Sequence, residues 1–140
     1  MKVEIFSFCD FAQSDSSGKL SLIGVIDSIF ASELPVIYGL CSLAIRVRFN
    51  KAEVGLKNFR ISFTDPYGKP AMPPMETPIQ VQIAENGSHA IVQLVSLFAQ
   101  LTFPNFGEYS IELAIDGSLV ASTPLFVRQS QVIPPDRLKQ

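Results

Sequence analysis

The sequence predicts a single all-β sandwich, and three observations point to it. Apolar residues recur with a period of two along most of the chain, the spacing of a strand with one buried face. Clusters of Gly, Pro, Asn and Asp interrupt that alternation about every 8–12 residues, the rhythm of an all-β sandwich or barrel. The 140 residues, 47% hydrophobic and 17% charged, suit one domain with one core. We expect about seven to eight mostly antiparallel strands over residues 1–128, and a polar tail over 129–140 that carries Pro134-Pro135.

The elements follow in order. Val3 to Phe8 alternates and leads into a loop, Gln13-Ser14-Asp15-Ser16-Ser17-Gly18, where Asp10 and Asp15 are expected to shape the turn by accepting backbone N–H bonds. Leu20 to Phe30 comes next. Its run Leu22-Ile23-Gly24-Val25-Ile26 is apolar on both faces, as in a central strand, and Gly24 marks a bulge or a close backbone approach. After an irregular connection, Ala31 to Gly39, the residues Cys41, Leu43, Ile45, Val47 and Phe49 alternate with polar or small ones and give the cleanest strand in the chain. Phe59, Ile61 and Phe63 form another inward face. Asp65-Pro66-Tyr67-Gly68 has type I turn chemistry. Five of the ten prolines fall between Pro66 and Pro78, so that segment reads as an extended loop and not as a central strand.

Ile79, Val81 and Ile83 resume the alternation until Glu85-Asn86-Gly87-Ser88, whose Asn-Gly is a hairpin signal. Ala90 to Phe103 has Gln93, Ser96 and Gln100 at helical spacing but is β-branched and aromatic in content. It predicts a strand over about Ala90–Leu97, with one helical turn near Phe98–Gln100 as the alternative. Tyr109, Ile111, Leu113 and Ile115 alternate cleanly, and Asp116-Gly117 turns the chain by a type I′ hairpin into Leu119 to Val127.

Asn105-Phe106-Gly107-Glu108-Tyr109 opens one of these alternating strands. A tyrosine at that position can fold its ring over the corner between two strands and bond its hydroxyl to upstream backbone, which favours an immunoglobulin-like sandwich. Tyr109 and Gly107 are therefore structural candidates, with Asp10 and Gly24. The segments Phe8-Cys9-Asp10-x-Ala12 and Gly18-Lys19-Leu20-x-Leu22-Ile23-Gly24-x-x-Asp27 also resemble the N-terminal signature of a family of small uncharacterised bacterial proteins. Leu101-x-Phe103, Gly107-x-Tyr109, Asp116-Gly117 and Pro124-Leu125-x-Val127 are similar to that family's last two strands. Residues 31–88 carry little of the resemblance, and Val25-Ile26-Asp27 stands where valine-phenylalanine-aspartate is the family's form. The resemblance implies the fold and a bacterial origin; it implies no activity, the domain being one of unknown function.

Composition excludes several functions. A net charge of −2 and a pI near 5.3 disfavour nucleic acid, which needs a basic surface. The longest stretch without a charged residue, Asn86 to Gly107, is broken by Gln93, Ser96, Gln100, Thr102 and Pro104 and is no membrane span. Glu4 and Asp10 interrupt any secretory signal, so a cytoplasmic setting is expected, with Cys9 and Cys41 as reduced, buried thiols. These cysteines and His89, the sole histidine, lack the paired spacing of a zinc site. His89 reads as an exposed turn residue, and no phosphate-binding glycine loop is present. Asp27 reads as a strand-end residue bonded to backbone. Neither catalytic residues, nor a metal, nor a cofactor is expected.

Two binding readings remain. The favoured one is a noncatalytic interaction module that binds another protein or a second copy, as a homodimer through Leu119–Val127, Val3–Phe8 or the sheet face beside them. The alternative is a small anionic or carbohydrate ligand on a basic face. Arg46, Arg48, Lys51, Lys57 and Arg60 cluster there, and a hairpin centred near residue 53 sets Arg46 opposite Arg60, a like-charge pair that an anion, an acidic partner or a nearby Glu would relieve.

Overall fold

The alternation at Cys41, Leu43, Ile45, Val47 and Phe49 has the expected physical result: all five side chains lie in the core, on one face of a long strand. A computed structural model gives the fold and describes residues 1–130. Its strands are β1 (Lys2–Ser14), β2 (Leu20–Val25), β3 (Ser28–Ala31), β4 (Val36–Asn50), β5 (Gly55–Thr64), β6 (Met75–Val81), β7 (His89–Phe103), β8 (Gly107–Ile115) and β9 (Ser118–Gln129). They form two sheets, ordered β2-β1-β4-β7 and β3-β9-β8-β5-β6. Every pairing is antiparallel except that of β3 with β9. The all-β sandwich is thus present, with nine strands among the described residues.

Aromatic side chains from opposite sheets interlock in the core. Phe63 of β5 meets Phe8 of β1 and Phe98 of β7 edge-on, at 6.4 and 5.4 Å between ring centroids. Phe59 meets Phe49 at 6.2 Å, and Tyr109 meets Phe103 at 5.1 Å. Such tilted contacts add about 0.5–1.5 kcal/mol each to the burial of the rings.

The structure corrects five expectations. First, Leu20 to Phe30 is not one buried central strand. It divides at Ile26-Asp27 into β2, an edge of the first sheet, and β3, an edge of the second. Ile23 and Val25 are consequently 64% and 67% exposed. Second, β4 and β5 do not make a hairpin. Both are amphipathic toward the same core, so they face each other across it, joined by a 3-10 turn that Asn50 caps. Third, Asn86-Gly87 also turns the chain from one sheet to the other, from β6 to β7, and forms no hairpin. Fourth, the strand expected over about Ala90–Leu97 is present but runs on to Phe103, so the alternative of a helical turn near Phe98–Gln100 is the part corrected. Gln100, at φ 56°, twists β7 so that Phe98, Leu101 and Phe103 all enter the core, which places polar residues at helix-like spacing without a helix. Fifth, each expected terminal edge is covered only in part. β2 pairs with β1 from Cys9 to Ser14, which leaves Val3–Ser7 open on that side, and β3 pairs with β9 only over Phe126–Gln129, which leaves Leu119–Leu125 open.

The proline-rich segment ends in β6, which occupies an edge and includes Pro78, as the missing N–H requires. The polar tail expected over 129–140 lies, from Gln131 onward, outside the described residues; β9 itself ends at Gln129.

Two turns share one chemistry. In Asp15-Ser16-Ser17-Gly18-Lys19, the Asp15 carboxylate accepts from the backbone N–H of Ser17 and Lys19, at 2.9 and 3.0 Å. In Asp65-Pro66-Tyr67-Gly68-Lys69, Asp65 accepts from Tyr67 and Lys69, at 2.9 and 2.8 Å. Each turn is closed by an Asp N–H to Lys C=O bond, and each puts its glycine at a positive φ, 84° and 81°. Asp15 thus shapes its turn as the sequence implied, whereas Asp10, expected to do the same, instead accepts from the Tyr38 hydroxyl.

Candidate functional site

The expected basic face does not assemble. Arg46 and Arg48 project from β4, whereas Arg60 projects from β5 in the other sheet. Arg46 stands opposite Ile5 and Gln93, and Arg60 opposite Ala114 and Glu76, so no like-charge pair arises. Glu4 of β1 instead holds both β4 arginines, its two carboxylate oxygens each 2.9 Å from one Nε. Arg46 also donates to Gln93 Oε1, and Gln93 donates to Ser14 Oγ at 3.0 Å. Hydrogen bonds from Arg48 first, and Arg46 second, hold the Glu4 carboxyl below the usual glutamate range. Arg60 lies 3.7 Å from Glu76, with both side chains about half exposed. Local carboxylates therefore supply the relief that an anionic ligand would have given.

Asp10 and Gly24 do come together. An added Cβ on Gly24 would meet Asp10 Oδ2 at 2.6 Å, and Gly24 has φ 70°, so only glycine fits without strain. The hydroxyl of Tyr38, on β4, donates to Asp10 Oδ1 at 2.5 Å. That bond to a carboxylate, with burial and the Asp10 charge added, pushes the Tyr38 hydroxyl up to about 12. The group ties β1, β2 and β4 at the point where the chain leaves the first sheet. Asp27 is exposed, and its carbonyl accepts from Phe126 N–H at 2.8 Å, as a strand-end residue does. His89 is exposed at the start of β7, its ring hydrogen-bonded, among the described residues, to its neighbour Ser88.

Tyr109 is fully buried and its hydroxyl accepts from Asn105 N–H and donates to Asn105 C=O, both at 3.1 Å. Gly107, two residues away, packs against the ring of Pro66.

Cys9 and Cys41 are free and wholly buried. Burial raises both thiols, Cys41 to about 11. At mildly alkaline pH both should resist thiol reagents in the native protein and react on unfolding, because the thiolate is the reacting form. Rapid labelling of either in native buffer, followed by mass spectrometry, would contradict this placement.

What the sequence reading missed is a surface around β7. Val25, Cys9, Ser42 and Leu97 stand opposite one another in turn across all four strands of the first sheet, and so share a face. Cys9 and Ser42 are buried beneath this row, and among the described residues the Ser42 hydroxyl has no hydrogen-bond partner. The flanking Val25 and Leu97 are 67% and 65% exposed, and Leu40, two residues along β4, is 59% exposed. Leu97 belongs to β7, a 15-residue edge strand with neither proline nor any Asp, Glu, Lys or Arg. Beside its C-terminal half lies a cavity of about 350 Å³, lined by Leu97–Phe103, Phe63, Ala71 and Met72. The signal was in the sequence: β7 fills most of the uncharged stretch from Asn86 to Gly107.

Comparison with known proteins gives a family and no activity. A family model described as a family of unknown function (DUF6941) matches residues 4–128. No curated protein matches the sequence. Among solved structures, the chain is similar to the Pseudomonas fluorescens alkylpurine DNA glycosylase AlkC bound to DNA containing an abasic site analog, with a TM-score of 0.42 and 10% identity. That match covers 73% of this chain and 28% of the other. No helix among the described residues is long and apolar enough to cross a membrane.

Proposed function

From the premise that the chain belongs to the DUF6941 family of unknown function, we propose that it is a noncatalytic protein-interaction module. The observation that carries this reading is the uncharged edge strand β7, bordered by exposed Leu97 and Leu40. Natural edges are defended by charge, proline, shortness or cover, because their free N–H and C=O groups accept another strand. Here β6 has Glu76 and Pro78, β3 has four residues, β2 has six residues with a kink at Gly24, and the open parts of β1 and β9 carry Glu4 and Pro124. β7 has no charge, no proline and 15 residues of length, its one irregularity being Gln100 near the C-terminal end, and apolar exposure of this kind marks interaction surfaces. The alternative, an anion on Arg46, Arg48 and Arg60, has no comparable support, since Glu4 and Glu76 already pair with them.

The reading takes the sandwich as immunoglobulin-like, supported by the tyrosine corner at Tyr109, and the setting as a bacterial cytoplasm, supported by the sequence resemblance and the two free thiols. It includes neither nucleic acid nor membrane among the partners. Purifying the tagged chain from its native host and identifying stoichiometric proteins by mass spectrometry tests it. Recovery of one protein, including an untagged copy of the chain, that is lost with the double variant Leu40→Asp/Leu97→Asp supports the reading. Retention of every bound protein by the folded double variant would overturn it.

A further inference from the structure

We infer that the occupant of the β7 edge is a second copy of this chain, paired antiparallel β7 to β7 about a twofold axis. The inference rests on the interaction reading and names its partner. An edge strand takes up an extended strand through main-chain hydrogen bonds, so the partner must offer an open strand of comparable length. This chain offers one itself, the 15 residues His89–Phe103. A twofold axis brings the same strand from both copies together, and the antiparallel pairing that results makes each residue face a symmetry-related one. Like charges opposite one another are the usual obstacle to such self-pairing. With no Asp, Glu, Lys or Arg in β7, no such opposition arises in any register. A strongly charged partner, by contrast, would find no charge along the strand to pair with.

The size of the contact is sufficient. The 15 residues, at about 3.4 Å each, make an edge about 50 Å long, and the sheet spacing gives it a depth of about 10 Å. The footprint is then about 500 Å² per copy and about 1,000 Å² in total, where specific interfaces begin. Leu97 and Leu40, exposed beside the edge, extend it with apolar surface. In full overlap the axis passes at Ser96, the midpoint of the strand, and joins the two four-stranded sheets into one continuous sheet of eight. Leu97 of one copy then stands opposite Val95 of the other, with the two Leu97 residues diagonal to each other at roughly 7–8 Å.

That diagonal gives the test. Leu97→Lys and Leu97→Asp are prepared separately, and each is sedimented alone and in equimolar mixture across the micromolar range. Leu97 is 65% exposed, so both variants should keep the fold, which circular dichroism checks. The wild-type chain should sediment as a dimer, each variant should weaken it by about tenfold or more, and the mixture should return it to within about threefold of wild type. Leu119→Lys, on exposed Leu119 of β9, should leave the dimer intact. A wild-type monomer, a dimer unaffected by either Leu97 change, or a dimer lost with Leu119→Lys would each overturn the proposal. A monomer that still loses a different, stoichiometric protein with Leu97→Lys would overturn self-pairing and leave the interaction reading standing.

Discussion

Replacing Tyr109 with alanine should destabilise the protein by about 3–5 kcal/mol, the range for removing a large aromatic side chain from a core. The ring is wholly buried and packs edge-on against Phe103. Phenylalanine at the same position separates the two contributions of the residue. It keeps the ring and removes the hydroxyl, leaving the Asn105 N–H and C=O without their partner, and should cost about 1–3 kcal/mol. Urea unfolding of the three proteins measures both steps. A loss below about 0.5 kcal/mol for Tyr109→Phe would mean that water replaces the hydroxyl and that the corner adds little.

Gly107→Ala is the second large effect. Gly107 has φ 134°, a conformation that side chains rarely adopt, and holding alanine there costs on the order of 1–3 kcal/mol. The added Cβ also lies 2.7 Å from Pro66 Cγ, a ring that cannot rotate away, and crowding of this kind costs about 1–3 kcal/mol more. The two should be separable. Pro66→Ala in the Gly107→Ala protein should recover the steric share and leave the backbone share, a coupling that a double-mutant cycle measures. A Gly107→Ala protein as stable as wild type would show that the loop before β8 shifts freely, contrary to its packing on Pro66.

Local features were the legible ones. Period two located the inward faces of β4, β5 and β8, and turn chemistry located Asp15, Asp65 and Asp116-Gly117, where Asp116 and Gly117 do have positive φ, 51° and 84°. Tyr109 was legible because its hydroxyl bonds only four residues away. Gly24 and Asp10 were each marked in the sequence, but their contact depends on strand register and appears only in three dimensions. Sheet membership was illegible for a related reason. An amphipathic strand records which of its faces is buried and not which sheet it joins, so β4 and β5 read as a hairpin although they face each other across the core. The apolar run in β2 misled in the same way, because exposure at an edge and burial at the centre can share one hydropathy. Candidate-site reading failed at Arg46 and Arg60 through this error and missed β7, whose lack of charge signifies only once it is known to be an edge.

The passage of the chain from β2 to β3 has a dynamic consequence. On that flank Ile26 N–H bonds to Phe8 C=O in one sheet, and Phe126 N–H bonds to Asp27 C=O in the other, so consecutive residues stitch both layers together. On the opposite flank the chain also crosses, from β6 to β7, but among the described residues the backbone bond of that loop is internal, from Gly87 N–H to Ala84 C=O, and stitches neither layer. A partial opening of the sandwich should therefore hinge on the stitched side and widen at β7. Amide hydrogens there should exchange through small, frequent openings and those of Ile26 and Phe126 only through rarer and larger ones, which native-state hydrogen exchange measures. A second strand bound along β7 would act as a clasp on the loose flank, so that association and slowed exchange would rise together with concentration.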